Sequence, residues 1–252
     1  MKDEYFQLRE FLKSTEWVRK AELQTPKDEG EERPPAVKEY DEESDIINLP
    51  DKESVQLPDK TLKDLLEKRR SRRKYNNKEF TLEELSFLLW STQGLSANSI
   101  RLRTAPSGGA VHPFETYIYL NKVKDLKEGL YRYLPDKHSL LFLKQVNNSK
   151  REIIKAVNGQ KFVGEAALVF FWSVLPKRGE WKYDILAHKL AALDAGHVCE
   201  NLYLAVENLK AGMCALDAYN QKEADHFIEV DGQEEFVIYM ASVGKVDPSE
   251  RK

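Results

Sequence analysis

The chain has 252 residues, 41% hydrophobic and 32% charged, which is polar for a globular protein but well short of a disordered composition. Its net charge of −3 predicts no general attraction to nucleic acid or to an acidic membrane surface. The longest apolar run, 166–175, is half of the ~20 residues that a membrane-spanning helix needs, and the first ten residues carry acids where a signal peptide needs an apolar stretch. Cys199 and Cys214 give neither a disulfide framework nor a metal-site spacing. We therefore expect a soluble, cytoplasmic protein without a metal, a membrane partner or a nucleic-acid partner.

Residues 1–60 differ from the rest and are predicted to form an N-terminal helix followed by an extended arm. Apolar residues at helical spacing predict one amphipathic helix that ends at 25–30; they are Phe6, Leu8, Phe11, Leu12, Trp17 and Val18. Segment 31–45 is acidic, interrupted by proline and poor in apolar residues. It therefore either lies on the rest of the protein or stays partly disordered. Residues 61–252 are expected to form the second, folded domain.

Helix signals become regular after residue 60. Capping-box patterns predict three helix starts, at 61–64, 81–84 and 149–152. Gly94 and Gly159 predict the ends of the second and third of these helices. The longest helical pattern, 184–212, is apolar on most sides, which predicts a helix that is central and buried or that lies in a subunit interface.

Strand signals alternate with these helices. Segments rich in β-branched and aromatic residues predict strands at 116–120, 130–134, 140–143 and 236–243. The second and third of these flank a turn, 135–139, and predict a hairpin. The continuously apolar segment 166–175 is typical of an interior strand. The pattern predicts an α+β fold with a mixed, mostly antiparallel sheet surrounded by helices.

The basic run Arg69–Lys74 has three interpretations. A solvated face at a helix C-terminus is the first. Phosphate binding is the second, because guanidinium groups match phosphate oxygens and Ser71 adds a hydroxyl donor. Nucleic-acid binding is the third, and the absence of another basic cluster and of an overall positive charge argues against it.

Two further stretches carry candidate chemistry. The loop 104–113 has two glycines between two prolines, so its backbone could approach a flat ligand, although an ordinary tight connection has the same composition. It is neither a dinucleotide fingerprint nor a P-loop. Lys182 and Tyr183 precede the long helix and could move protons if desolvated, although such a pair is usually a surface feature. His197 and Cys199 are interpreted as core packing.

In combination these segments resemble the nitroreductase superfamily. The segments that carry the resemblance are RRSRRKY at 69–75, TLEELSFLLWSTQG at 81–94, RTAPSGGAVHPFETYIYL at 103–120, GLYRYLPDKHSLLFL at 129–143, WKYDILAHKLAALDAGHVCENLYLAVENLKAGMC at 181–214 and VIYMASVGK at 237–245. Within that superfamily the sequence is most similar to the SagB-type oxidoreductases, which include the azoline dehydrogenases of thiazole/oxazole-modified peptide synthesis. The resemblance covers about 61–246.

The resemblance implies an α+β nitroreductase-like fold, an obligate homodimer and one FMN per subunit at each of two interface sites. Residues matching family positions for the phosphate and ribityl contacts are Arg69, Arg70, Ser71 and Arg73, with Gly244 and Lys245 as a second phosphate-side contact. Residues matching the loop along the isoalloxazine ring are Pro106, Ser107, Gly108 and Gly109. The segment that approaches flavin N5 matches Cys214–Ala218, which includes Leu216, Asp217 and Ala218. Asp217 stands where relatives often have glycine, and an acid there would change the electrostatics of the flavin.

The same resemblance implies an FMN-dependent oxidoreductase that works by ping-pong hydride transfer through flavin N5. One substrate class is a thiazoline or oxazoline in a modified peptide, with Lys182 or Tyr183 removing a proton as the catalytic pair. The alternative is an NAD(P)H-dependent reductase of small quinones or nitroaromatics. A different class of function, a non-catalytic flavin- or anion-binding protein, also stays open.

Overall fold

The computed structural model describes residues 2–41, 43–97 and 99–251. Met1 and Glu42 of the predicted N-terminal region, and Asn98 and Lys252 of the predicted domain, lie outside the described residues. The described part contains seven α-helices: α1 (Lys2–Leu12), α2 (Leu62–Lys68), α3 (Leu82–Gln93), α4 (Ser149–Ala156), α5 (Pro176–Tyr183), α6 (Ala187–Asn208) and α7 (Gln221–Ile228). It also contains seven strands: β1 (Ile46–Asn48), β2 (Phe114–Leu120), β3 (Gly129–Leu134), β4 (Ser139–Lys144), β5 (Leu168–Val174), β6 (Ala211–Leu216) and β7 (Phe236–Lys245).

The strands form one sheet in the order β1-β4-β3-β2-β5-β7-β6. Each neighbouring pair is antiparallel. Strand β5 lies inside the sheet between β2 and β7, and all seven of its residues are buried. A strand covered on both faces needs apolar residues on both, which explains why its sequence runs without polar alternation. The predicted α+β architecture and the predicted interior strand are confirmed.

Side chains that alternate along β5 enter two cores on opposite faces of the sheet. Phe170 and Trp172 lie in the cluster that also contains residues of α3 and α6, whereas Val169 and Phe171 lie in the cluster with residues of α4 and α7. Burying a side chain of this size stabilises the fold by roughly 1.5–3 kcal/mol relative to leaving it exposed. The long α6 is therefore fixed against one face of the sheet by its apolar residues, as its sequence predicts.

Local capping patterns give two of the predicted helix starts correctly and the third only in part. The side chains of Thr61 and Thr81 each accept a hydrogen bond from the backbone of the third helical residue, and both capping boxes are complete. Helix α4 does begin at Ser149, but its N-cap is Asn148 and has no side-chain cap. The Ser149 hydroxyl donates instead to Glu128 at 2.6 Å, so the capping box predicted there is wrong. The hydrogen bond from Ser149 to Glu128, outside the helix, replaces the local cap.

The predicted end of the long helix is wrong. Helix α6 ends at Asn208, Lys210 adopts a left-handed conformation with φ of 55°, and Ala211 begins strand β6. A Cβ at Gly212 would lie 2.6 Å from Val246 and 2.9 Å from Arg72. The glycine therefore allows β6 to pack closely against its neighbours, which helical periodicity alone could not show. Among the described residues, no helix is both long and apolar enough to span a bilayer.

The arm that follows α1 lies on the body of the protein, one of the two alternatives that the sequence left open. Buried arginines bind its backbone: Arg103 donates to the carbonyl of Ala36 at 3.0 Å, and Arg132 donates to that of Lys38 at 3.0 Å. The amide of Lys38 donates to Glu115 at 2.8 Å. The N-terminal helix is shorter than predicted, because α1 ends at Leu12 and a separate 3-10 turn spans Thr15–Arg19.

The ion pair of Arg178 with Glu115 provides a test of this buried polar layer. The two groups lie 2.6 Å apart and are 4% and 2% exposed. We expect Arg178→Met to lower the free energy of unfolding by about 3–5 kcal/mol, because the Glu115 carboxylate stays buried with its main cation removed. Urea denaturation would measure the loss. Lys63→Met, which breaks an exposed pair on α2, is the control and should change stability little. Equal stability of Arg178→Met and Lys63→Met would show that the buried Arg178–Glu115 pair does not stabilise the fold.

Candidate functional site

The basic segment after α2 is extended and lies beside the edge strand β6. The amide of Arg72 donates to the carbonyl of Met213 at 2.7 Å, and Ser71 forms a parallel bridge with Met213. Successive side chains in an extended segment point to opposite sides. Arg72 is therefore buried, with an ion pair to Glu207 at 2.7 Å, while Arg69, Ser71 and Arg73 share the outer side. Arg72 is thus withdrawn from solvent, whereas the other residues of the basic run are at least partly exposed.

Tyr203 of α6 organises this outer side. Its hydroxyl lies 2.8 Å from Ser71 Oγ and accepts the amide of Ala215 at 3.0 Å. The guanidinium of Arg69 lies over its ring, 5.2 Å from the centroid. Burial raises the pKa of the neighbouring Cys214 thiol, and Arg73, which hydrogen-bonds it, opposes that rise. We call Arg69, Ser71, Arg73 and Tyr203 the arginine face.

The arginine face has the donors of an anion site. In the described part of the chain, neither Arg69 nor Arg73 forms an ion pair with a carboxylate within 4.0 Å. Two guanidinium groups and a hydroxyl are the donors that suit a phosphate dianion. No cluster of three or more potential metal ligands occurs among the described residues.

Three other residues predicted to contact the phosphate point elsewhere in this structure. The Arg70 guanidinium donates to the carbonyls of Glu67 and Arg69, at 2.9 and 2.7 Å. Gly244 is covered by the Tyr75 ring, to which a Cβ would approach within 2.6 Å. Lys245 forms an ion pair with Glu84 and lies 4.3 Å from the centroid of Phe80. None of these three residues therefore belongs to the arginine face.

The loop 106–109 is anchored to the N-terminal half of α6. The amide of Gly108 donates to both carboxylate oxygens of Asp194, at 3.1 and 3.0 Å. Ser107 Oγ accepts the amide of His112 at 2.9 Å, while Pro106 is exposed. Burial raises the pKa of Asp194, and its hydrogen bonds with Ser107 and Gly108 oppose that rise. The carboxylate thus fixes the glycine pair in position.

Lys182 and Tyr183, at the end of α5, contact the same loop. Lys182 Nζ donates to the carbonyl of Gly109 at 2.8 Å. Gly109 has a φ of +61°, and a Cβ on it would lie 2.1 Å from Tyr183 Oη and 2.5 Å from Lys182 Nζ. Partial burial lowers the pKa of Lys182, and the nearby Arg33 and Lys27 lower it further. The structure therefore brings together the predicted catalytic pair and the predicted ring-contacting loop.

An apolar cavity of about 310 Å³ opens beside this pair. Gly108 and Tyr183 form part of its wall, and Asp194 is one of its few polar groups. The sheet contributes Val174, Phe236 and Ile238, and α1 contributes Phe11; the remaining lining includes Val111, Pro113, Leu190 and Ala191. A cavity of this size and composition suits a small apolar or aromatic molecule.

The remaining predicted residues lie at the end of β6. Leu216 is buried in the second core, whereas Asp217 and Ala218 are exposed, and the Ala218 carbonyl accepts Gln160 at 2.9 Å. This segment follows Ala215 and so continues from the arginine face. Asp194 and Tyr203 are nine residues apart on α6, which corresponds to roughly 13 Å along the helix axis. Within one chain, the loop and the arginine face are thus separate.

Sequence reasoning did not single out Tyr203 or Asp194. The sequence of α6 does not distinguish them, because it also carries polar residues such as Lys189, His197 and Glu200. The interpretation of Cys199 as core packing is confirmed, since it is 2% exposed. The same interpretation of His197 is wrong, because its side chain is 53% exposed.

Comparisons with known proteins agree with this fold. The model of the nitroreductase family matches residues 66–245. A nitroreductase candidate from Methanocaldococcus jannaschii is 29% identical over 199 residues, which are 79% of this chain and 96% of that protein. The crystal structure of a nitroreductase candidate from Ralstonia eutropha is 25% identical with a TM-score of 0.67, covering 80% of this chain and 90% of that one. A chain of the E. coli microcin synthetase complex shares the fold at 15% identity and a TM-score of 0.61, covering 80% and 88%. The predicted nitroreductase-like fold is confirmed.

The contact of Gly109 with Tyr183 can be tested by substitution. Gly109→Ala and Gly159→Ala both place a Cβ at a left-handed glycine, which costs roughly 1–2 kcal/mol of backbone strain. Only the first also displaces a neighbour, since nothing lies within 4 Å of the Cβ position at Gly159. We expect Gly109→Ala to lower the free energy of unfolding more than Gly159→Ala in urea titrations. Equal losses would show that Tyr183 does not pack on Gly109.

Proposed function

Since the chain belongs to the nitroreductase family, we propose that it is an oxidoreductase whose cofactor is FMN. The observation that carries the proposal is the arginine face beside strand β6, where Arg69 and Ser71 contact Tyr203 and Arg73 hydrogen-bonds Cys214 of the strand. Family membership supports the oxidoreductase class, and the donor set supports the flavin phosphate. The alternatives, a non-catalytic flavin- or anion-binding protein, use the same donors but need no reactive group beside them.

The residues present fit an FMN. The two unpaired guanidinium groups would neutralise the phosphate and Ser71 Oγ would donate to it. The exposed segment at Asp217 and Ala218 would help to hold the flavin ring, and Asp217 would place a negative charge near it. When bound, FMN would supply hydride transfer through its N5 atom. The protein supplies binding, orientation and exclusion of water.

A homodimer would complete the site. The loop with Gly108 and Gly109 is roughly 13 Å along α6 from the arginine face, so a second copy is the natural source of the loop that covers the ring. Helix α6 also exposes Leu193, and the 3-10 turn that precedes the helix exposes Ile185; these side chains are 53% and 48% exposed. Isologous packing of this helix would bury them and bring the two halves of the site together.

Within the proposed reaction, Lys182 or Tyr183 would remove the proton that leaves the substrate. The lowered pKa of Lys182 increases the fraction of neutral amine that can accept a proton, and Tyr183 offers a hydroxyl within reach of the same Gly109 backbone. Oxidation of a C–H bond, as in a thiazoline or oxazoline of a modified peptide, needs such a base. This placement favours a SagB-type dehydrogenase. Reduction of a small quinone or nitroaromatic by NAD(P)H is the second candidate, and the apolar cavity beside Tyr183 favours it.

The phosphate assignment predicts the colour of the protein. Arg69→Ala with Arg73→Ala removes charge-assisted bonds worth about 1.5–3 kcal/mol each. The double variant should purify pale and regain flavin absorbance only in excess FMN, with a Kd raised at least 10²-fold. Lys74→Ala with Lys78→Ala removes the same charge from the same segment and should purify with its flavin. Full occupancy in the arginine variant would contradict the site.

The dimer is tested on α6. Leu193→Asp would place a carboxylate in the proposed interface and should give monomers that hold little flavin. Sedimentation velocity measures the state of association. Leu143→Asp, at a half-exposed position on β4, is the control and should stay dimeric. A wild-type protein that sediments as a flavin-loaded monomer would overturn the proposed assembly.

The proton-transfer roles are tested at Lys182 and Tyr183. Lys182→Met and Tyr183→Phe should each slow oxidation of a C–H substrate about 10²–10⁴-fold, with flavin still bound. Reduction of the bound flavin by NAD(P)H should be affected less, because it needs no base. The kcat/KM profile of the wild type should rise with pH through a pKa below the ordinary lysine value of 10.5, and Lys182→Met should lack this rise.

Lys177→Met, in the same helix and exposed, is the control for the loss of a lysine charge on α5 and should keep wild-type turnover. Unchanged turnover in both Lys182→Met and Tyr183→Phe would show that the pair is structural. That result would favour the general reductase.

A further inference from the structure

A second, smaller cavity also has Tyr183 in its wall, and no role has been assigned to it above. Its volume is about 170 Å³, and three lysines line it: Lys20, Lys27 and Lys182. The other lining residues are Leu23, Thr25, Asp28 and Tyr183 itself. Tyr183 therefore belongs to the walls of both this basic cavity and the apolar cavity of about 310 Å³. The two spaces share one aromatic side chain.

Among the described residues, the lysines around the basic cavity form no close ion pair, although the charge of Lys27 lowers the pKa of Asp28 in the same wall. In the described part of the chain, none of Lys20, Lys27 and Lys182 lies within 4.0 Å of an acidic oxygen. Lys20 Nζ instead lies over the rings of Trp17 and Tyr183, at 5.4 and 5.6 Å from their centroids. Arg33 and Arg101 add further positive charge near Lys182. The repulsion among these groups would be relieved by a bound anion.

The one acid in the wall limits the charge of that anion. The Asp28 carboxylate accepts the amide and the hydroxyl of Thr25, at 3.2 and 2.7 Å, and these bonds hold the pKa of Asp28 below its usual value. A permanent negative charge in the wall disfavours a dianion more than a monoanion. Asp28 offsets one of the lysine charges and so reduces the advantage of a dianion, which leaves the cavity suited to a monoanion such as a carboxylate.

We infer that the substrate is a carboxylic acid with an apolar body, whose carboxylate binds Lys20 and Lys27 of the basic cavity while its body occupies the apolar cavity that also has Tyr183 in its wall. This inference rests on the proposed oxidoreductase, and it adds the chemical class of the substrate. It also gives the N-terminal region a role, because Lys20 and Lys27 of the basic cavity and Phe11 of the apolar cavity all belong to it.

The experiment compares two ligands that differ in charge alone, 2-naphthoate and 2-naphthamide. Each is titrated into the purified protein and followed by tryptophan fluorescence, since Trp17 and Trp181 lie beside these lysines and Arg33. We expect the acid to bind at least 10-fold more tightly than the amide. Raising NaCl from 0.05 to 0.5 M should weaken binding of the acid and leave binding of the amide unchanged, because salt screens charge.

Variants localise the preference. Lys20→Gln with Lys27→Gln should abolish the advantage of the acid and keep the affinity for the amide. Lys161→Gln with Lys222→Gln makes the same charge change at two exposed lysines elsewhere and should keep the advantage. Equal affinity for acid and amide, binding of neither probe, or a preference that survives the Lys20/Lys27 changes would overturn the inference. Displacement of naphthoate by inorganic phosphate at equal concentration would overturn the choice of a carboxylate.

The outcome is separable from that of the proposed function. Binding is read without turnover, so a protein that holds FMN but treats the two probes alike loses only this inference. A protein that prefers the acid but binds no flavin loses the oxidoreductase and keeps an anion site.

Discussion

The packing of α6 against one face of the sheet positions nearly every residue that the site uses. Its buried side chains, such as Val198 and Leu202, fix the helix on the sheet. Its polar residues then act at set places along the axis: Asp194 binds the glycine loop, and Tyr203 binds Ser71 and the backbone of β6. A displacement of this helix would move both halves of the site at once. Interiors packed at crystal-like density resist such a displacement.

The parts of the fold that could be predicted from the sequence depend on short-range physics. The caps at Thr61 and Thr81 involve residues three apart, and the apolar run that becomes β5 needs only the knowledge that interior strands are covered on both faces. Strand β6 could not be predicted from the sequence, because its small apolar residues continue the helical pattern of α6. The close packing of Gly212 against Arg72 and Val246 is a long-range contact, and it distinguishes strand β6 from a continuation of helix α6.

In the candidate site too, the sequence predicts residue types, whereas only the folded chain shows the long-range contacts. Residue types in the basic run allowed an anion site, a solvated face or a nucleic-acid site, and the burial of Arg72 depends on its pairing with Met213 and Glu207. Similarly, Lys182 and Gly109 are 73 residues apart, and only the folded chain shows their contact. Composition also left the arm undecided. Backbone carbonyls in segment 31–45 accept hydrogen bonds from the buried Arg103 and Arg132, and farther along the arm Leu49 packs into the first core.

The Arg72–Glu207 ion pair has a consequence for the thermodynamics of ligand capture. It ties the extended segment to α6 from the inner side, so Arg69, Ser71 and Arg73 are held on the outer side by the fold itself. Much of the backbone ordering that an anion site requires is then complete before any ligand arrives. Association at this face should resemble docking onto a rigid surface, with a small change in heat capacity and an on-rate limited by diffusion and orientation rather than by folding of the segment.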